Sequence, residues 1–352
     1  MLRGHGGEIY HLARELEIHP SEIRDHSSNV SPLPPPEGLY SFLGEHLREI
    51  ENLPEVDSFS LRIALAEKYA LNPSQIFPSS GTTEWIFAIP QILKPQRILI
   101  LGPTYSDYAD AARLSGIESI FFLAQEVENF SPPLNELLCS LKEKDLVFIC
   151  NPNNPTGTFI SVSKLYEIIS NFSQVLFVVD ESYSDFVRGE SSLLNFERVP
   201  ENLIILRSFS KIYRIPGLRL GYAIAGLKLS KKLWEVLLPW SVNRLAQIVG
   251  PWLLRREDYI VQVQNYIEEE RKRFLKELEK LPLKVFPSKT HFFLVKLKCE
   301  AQKIWEFLLK KHHILVRDAS NFYGLDHYYL RFALRGKEEN DILLTALKEV
   351  LL

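Results

Sequence analysis

The chain has 352 residues, 46% of them hydrophobic, and a formal net charge of −3 at pH 7. That length exceeds one ordinary domain and supplies a large buried core. A balance of 41 Lys and Arg against 44 Asp and Glu excludes the basic face with which proteins grip nucleic acid.

The opening MLRGHGGEIY lacks the apolar stretch of a secretion signal. No apolar run approaches the ~18 residues of a membrane span. Cys139, Cys150 and Cys299 are too far apart for a zinc spacing or a disulfide framework. The expectation is a soluble cytoplasmic protein with no metal site and no membrane partner. Apolar residues at helical spacing in IYHLARELEI predict a helix over 9–18. SPLPPPEG (31–38) breaks the pattern and marks a joint between two parts of the structure. Short apolar runs follow, each ended by a turn signal: RILIL (97–101), LVFIC (146–150), VLFVV (175–179) and LIIL (203–206). Helical patterns over 107–116 and 161–172 lie between them. Continuous aliphatic runs alternating with helices predict a mostly parallel sheet covered on both faces. Past residue 250 the pattern becomes α+β. A long charged helix over 258–281 precedes VFPSKTHFFLVKL (285–297), a helix over 301–311, and the strands HILVR and YYLRFAL. The reading is α/β, with a large domain over 30–250 and a smaller, discontinuous α+β domain from 1–29 and 251–352.

In open α/β sheets, ligands bind beyond the carboxyl ends of the strands. GPTY, NPNNPTG, DESY and SFSK follow the four predicted strands directly, so their polar groups converge on one crevice. Taken singly, each has an ordinary reading. Lys211 is a solvated loop lysine, Asp180 a turn or cap residue, Arg219 half of a surface ion pair. NPNNPTG is a turn, and SSGTTE (79–84) is a helix start. Together they suit pyridoxal phosphate. A lysine amine forms a Schiff base, and nearby positive charge lowers its pKa. An acid must face the cofactor's pyridine nitrogen, and Asp180 stands on the adjacent strand. Gly81, Thr82 and Thr83 supply backbone amides for a phosphate at a helix start. Arg219 adds a bidentate cation and Ser208 a hydroxyl. Tyr105 offers a face for the ring, and Asn154 and Tyr183 offer donors to its phenolic oxygen.

The ordered series SGTTE, PTY, NPNNPTG, DESY, SFSK and GLRLGY resembles the fold-type I pyridoxal-phosphate enzymes, the aspartate aminotransferase superfamily. Within it the chain is similar to the histidinol-phosphate aminotransferase branch, and along nearly its whole length to the threonine-phosphate decarboxylases. HGG (5–7), SSNVSPL (27–33), LPWSVNRLAQ (238–247) and 314–335 carry that likeness. The resemblance implies a homodimer in which Lys211 binds the cofactor covalently and moves the proton. Catalysis would fall to Lys211, Asp180 and Tyr183. A phosphorylated amino acid would be held by His5, Asn29, Arg317, Arg331 and Arg335, with Arg331 on the carboxylate and Arg317 and His5 near the phosphate. Ordinary readings stand beside these: a frayed terminal His5, and structural ion pairs for Arg317 and Arg335. The resemblance implies decarboxylation of threonine phosphate. Transamination of histidinol phosphate and decarboxylation of serine phosphate are the alternatives. Three positions depart from the pattern. Leu53 replaces a tyrosine that reaches the partner subunit's cofactor phosphate. Tyr183 stands where the decarboxylase has phenylalanine. His291 replaces an asparagine and is expected to be a satisfied core histidine.

Overall fold

The computed structural model describes residues 6–352, so His5 lies outside the described residues. Seven strands form the main sheet: β1 (Ile76–Ser79), β2 (Arg97–Gly102), β3 (Ser119–Leu123), β4 (Asp145–Cys150), β5 (Leu176–Asp180), β6 (Leu203–Ser208) and β7 (Gly221–Ala225). Their order across the sheet is β1-β7-β6-β5-β4-β2-β3. Only β7 runs antiparallel to its neighbours. The four strands predicted from aliphatic runs are β2, β4, β5 and β6, and nearly all their residues are buried. Helices over Asp107–Leu114 and Val162–Asn171 stand where the periodicity placed them. The aliphatic side chains of the sheet interior form one continuous core with these helices.

Strand direction explains how the loops meet. β1, β2, β4, β5 and β6 end at one edge of the sheet, and β7 starts there, with Gly221 opposite both Ser79 and Ser208. SSGTTE, PTY, NPNNPTG, DESY, SFSK and the Arg219 loop therefore share that edge. Strands β1, β3 and β7 were not legible in the pattern. β1 carries Pro78, β3 is a half-buried edge strand, and β7 (GYAIA) is built largely of small residues. Pro78 fits because β1 is itself an edge strand.

A second core lies toward the C-terminus. Four antiparallel strands pack there against helices Ala301–His312 and Lys337–Leu351: Arg317–Asp318, Tyr329–Ala333, Phe292–Lys296 and Lys284–Val285. The N-terminal segment joins this part. Arg24 and Asp25 pair in parallel with Ile314 and Leu315, and Leu12, Ala13 and Ile23 pack on Leu309 and Leu315. We propose the same division as that read from the sequence. Helix Glu257–Leu278 crosses it: Tyr259, Val263 and Ile267 belong to the large core, Phe274 and Leu278 to the small one. Among the described residues, no helix is long and apolar enough to cross a membrane.

Arg335 ties the N-terminal segment down. It donates to the backbone carbonyls of Asp25 (2.6 Å), Ser28 (2.6 Å) and Val30 (3.2 Å), and it is almost fully buried. Burial opposes ionisation of Asp25, but Arg335 and the hydroxyls of Ser27 and Ser28 outweigh it and hold the carboxyl below its usual pKa. Arg335→Leu would leave several buried carbonyls without donors. It should cost about 3 kcal/mol of stability, read as a lower urea midpoint.

Candidate active site

Lys211 lies in a one-turn helix, Phe209–Ile212, directly after β6. The Ser208 hydroxyl caps this turn by accepting from the Ser210 amide at 3.2 Å. The turn sits over the carboxyl end of the sheet, and the Ser31 amide donates to the Lys211 carbonyl at 2.8 Å. The N-terminal segment thus roofs the lysine. Burial, reinforced by the Arg219 and Arg331 charges, pushes the Lys211 amine down to about 8.

Two cavities meet at Lys211. One, of about 540 Å³, is lined by Gly81, Thr82, Thr83, Tyr105, Asn154, Asp180, Tyr183, Ser208, Lys211 and Arg219. These are all ten residues that the sequence assigned to the cofactor. The same wall includes Tyr108, Cys150, Ser182 and Ser210, which the sequence reading missed. Tyr108 lies three residues beyond Tyr105 in PTYSDY, inside the following helix, where no motif of the strand-end loops singles it out. Asp180 ends β5, opposite Cys150 on β4. Its Oδ1 accepts from the Ser182 amide at 2.9 Å and its Oδ2 from the Tyr108 hydroxyl at 2.9 Å. Burial raises the Asp180 pKa, while these hydrogen bonds and Lys211 oppose the rise.

The second cavity, of about 600 Å³, is lined by Ser27, Ser28, Asn29, Arg317, Asn321, Phe322 and Arg331, and shares Tyr105, Asn154, Tyr183 and Lys211 with the first. Arg331 donates to the Asn154 side chain and to the Ser27 carbonyl. Its Nε is buried without a partner, as is the Asn29 amide oxygen. Asn29 Nδ2 lies 3.5 Å from the Tyr183 hydroxyl. Arg317 donates to Asn321 Oδ1 at 2.6 Å, with its guanidinium 5.0 Å from the Phe322 ring centre. Burial lowers Arg331 to about 9 and Arg317 to about 10. Of the residues predicted to hold substrate, Asn29, Arg317 and Arg331 come together here. Arg335 does not: its guanidinium is turned to the 25–30 backbone. His291 is a core residue, as expected, with its ring 4.0 Å from that of Phe186, but both ring nitrogens lack hydrogen-bond partners. Burial, reinforced by the charges of Arg335, Arg331 and Lys211, keeps it neutral.

One end of the first cavity has the shape of a cradle. Gly81 caps helix Thr82–Leu93 in a conformation with φ of +82°, open to glycine and strained for any other residue. A Cβ there would run into the Arg219 guanidinium. The helix start and the arginine thus face each other across the space that a Gly81 side chain would fill. Backbone amides at a helix start, a guanidinium and the Ser208 hydroxyl form a donor set suited to a phosphate. Gly81→Ala should weaken pyridoxal phosphate binding by about tenfold or more, given the ~1–3 kcal/mol cost of a forced left-handed residue. Fluorescence titration of the cofactor-free protein measures it.

A lysine of lowered pKa beside a buried aspartate, with an anion cradle at the topological edge of a mostly parallel sheet, defines a fold-type I pyridoxal-phosphate-dependent enzyme. The chain belongs to the aminotransferase class I and II family, whose pattern matches residues 45–347. The family's cofactor is pyridoxal 5′-phosphate. The chain is 33% identical to threonine-phosphate decarboxylase of Salmonella typhimurium, over 99% of this chain and 96% of that one. It is 35% identical to histidinol-phosphate aminotransferase of Thermoanaerobacter sp., over 96% of each. It is also 33% identical to the bifunctional adenosylcobalamin biosynthesis protein CobDQ of Leptospira interrogans, of whose length it spans 41%. The crystal structure of L-threonine-O-3-phosphate decarboxylase from Porphyromonas gingivalis superposes with a TM-score of 0.84 at 30% identity, covering 93% of this chain and 99% of that one.

Proposed function

We propose that the protein decarboxylates L-threonine O-3-phosphate to (R)-1-aminopropan-2-yl phosphate for cobamide synthesis in the cytoplasm. The observation that carries this reading is the second cavity. Two buried arginines stand among short polar side chains beside Lys211, and that lining suits a compact substrate with two anionic groups.

Pyridoxal phosphate, when bound, accepts the electron pair left on the α-carbon when a bond there breaks. Asp180 would face the pyridine nitrogen and keep its proton in place. Asn154 and Tyr183 would hold the phenolic oxygen, and Tyr105 would cover a ring face. Gly81, Thr82, Thr83, Ser208 and Arg219 hold the phosphate. Lys211 would hold the cofactor covalently, and its amine, once free, would carry a proton to the α-carbon. Arg331 binds the carboxylate and Arg317 the substrate phosphate, with Asn29 completing the wall. By gripping the carboxylate and the phosphate, the two arginines would orient the bonds of the α-carbon and so select which of them breaks, with carbon dioxide as the leaving group when the carboxylate is the one presented.

A second reading is transamination, as in the histidinol-phosphate aminotransferases, and Tyr183 favours it. The two are separated by products. Loaded protein with threonine phosphate should release carbon dioxide and aminopropanol phosphate. Serine phosphate, in a second tube, should react more slowly. Histidinol phosphate with 2-oxoglutarate, in a third, should give no glutamate. Glutamate without carbon dioxide would overturn the proposal.

We further propose a homodimer. Leu47, Ile50, Leu53, Phe59, Leu238 and Trp240 are large apolar side chains left more than half or about half exposed. The Trp240 amide bonds the Val56 carbonyl at 2.9 Å, joining the two stretches that carry them. A second copy covering both would remove this surface from water.

A further inference from the structure

We propose that Tyr108 is a positioning residue for the cofactor, acting through Asp180: its hydroxyl holds the carboxylate ionised and aimed at the pyridine nitrogen. The proposal depends on the cofactor and not on which reaction follows.

Asp180 is almost fully buried, and a carboxylate in that setting tends to take up a proton. A neutral acid there would be a poor counter-charge for a protonated ring nitrogen. Two donors act against this. The Ser182 amide fixes Oδ1, and the Tyr108 hydroxyl fixes Oδ2, each at 2.9 Å. One donor leaves the carboxyl plane free to turn, whereas two on different oxygens set it. Charge-assisted bonds of this kind favour the ionised form.

Tyr108 is built to deliver that hydroxyl. It is fully buried in helix Asp107–Leu114, behind the ring site. Its ring stacks on Phe148 of β4, with centroids 4.9 Å apart and planes 11° apart. It meets Tyr105 edge-on at 5.9 Å. These contacts fix the ring's orientation and leave its oxygen one strong acceptor. Other ionisable groups around Asp180 are Cys150, Tyr105, Tyr183 and Lys211, with Arg219 in the lining of the same cavity. Burial holds Cys150, Tyr105 and Tyr183 in their protonated forms, so the charged neighbours are the cations Lys211 and Arg219. Tyr108 is itself kept protonated by burial and by the Asp180 charge, and so remains a donor.

The test uses Tyr108→Phe, which removes one oxygen and keeps the stack on Phe148. Cofactor affinity is measured by fluorescence, and the visible band of the loaded protein is titrated with pH. The variant should bind pyridoxal phosphate about tenfold more weakly, the usual scale for a lost bond to a charged group. Its spectral midpoint should rise, because a ring nitrogen with less positive charge lets the lysine–cofactor nitrogen keep its proton to higher pH. Tyr108→His, which restores a donor, should recover part of both changes. Asp180→Asn combined with Tyr108→Phe should be no worse than Asp180→Asn alone. An unchanged affinity and midpoint in Tyr108→Phe would overturn the proposal. So would an effect that persists undiminished in the Asp180→Asn background, since a purely structural tyrosine would give that result.

Discussion

Lys211→Ala should lower turnover by at least ~10³-fold, the upper part of the range for losing a positioned proton carrier, with the covalent link lost as well. The cofactor should still bind, because the phosphate cradle and Asp180 remain, but it should wash out on dialysis. Mass spectrometry after borohydride reduction should find no adduct on the variant and one adduct on the parent chain. The parent's pH dependence follows from the lysine's environment. Only the neutral amine attacks a carbonyl. With the amine pushed down to about 8, capture of the cofactor by the cofactor-free protein should accelerate as pH rises toward that value and level off above it. Without the burial and the Arg219 and Arg331 charges, the same rise would centre near the ordinary lysine pKa. Arg219→Gln, which removes one of those charges, should therefore move the midpoint upward. A midpoint near 10 in the parent chain would contradict this account of the site.

Arg331→Leu is expected to have the second-largest effect. The guanidinium is nearly fully buried, its Nε has no hydrogen-bond partner, and Arg331 lines a cavity that also holds Lys211. Its assigned partner is the substrate carboxylate. Loss of a two-point, charge-assisted contact should raise KM for threonine phosphate about 100-fold. Part of kcat should go too, because orientation of the α-carbon bonds goes with it. The lysine–cofactor link should still form, with its pH midpoint moved upward as in Arg219→Gln, because Arg331 is one of the charges that lower the Lys211 pKa. A variant with unchanged KM would remove Arg331 from the substrate site.

The sheet was legible where its strands are buried on both faces. RILIL, LVFIC, VLFVV and LIIL have little reason to be apolar throughout unless helices cover them. The strands that escaped notice are those whose residues answer to other constraints: proline on an edge, or small residues in GYAIA. The convergence of the residues proposed for the cofactor was legible because they sit at strand ends, where a linear motif maps onto one place in space. The substrate wall was less so. Arg317, Arg331 and Arg335 are equally arginines in the sequence, and only tertiary packing turns two toward the cavity and the third onto backbone carbonyls. Tyr108 was hidden for a related reason. Its functional atom faces the aspartate from behind, so no loop motif advertised it.

Helix Glu257–Leu278 has its first half in one core and its second half in the other. Neither core can lose its share of that helix without fraying the segment on which the other depends. The chain should therefore melt in a single cooperative calorimetric transition despite having two hydrophobic centres. A substitution at Phe274, far from the cofactor, would loosen the sheet that carries Lys211 by the same route.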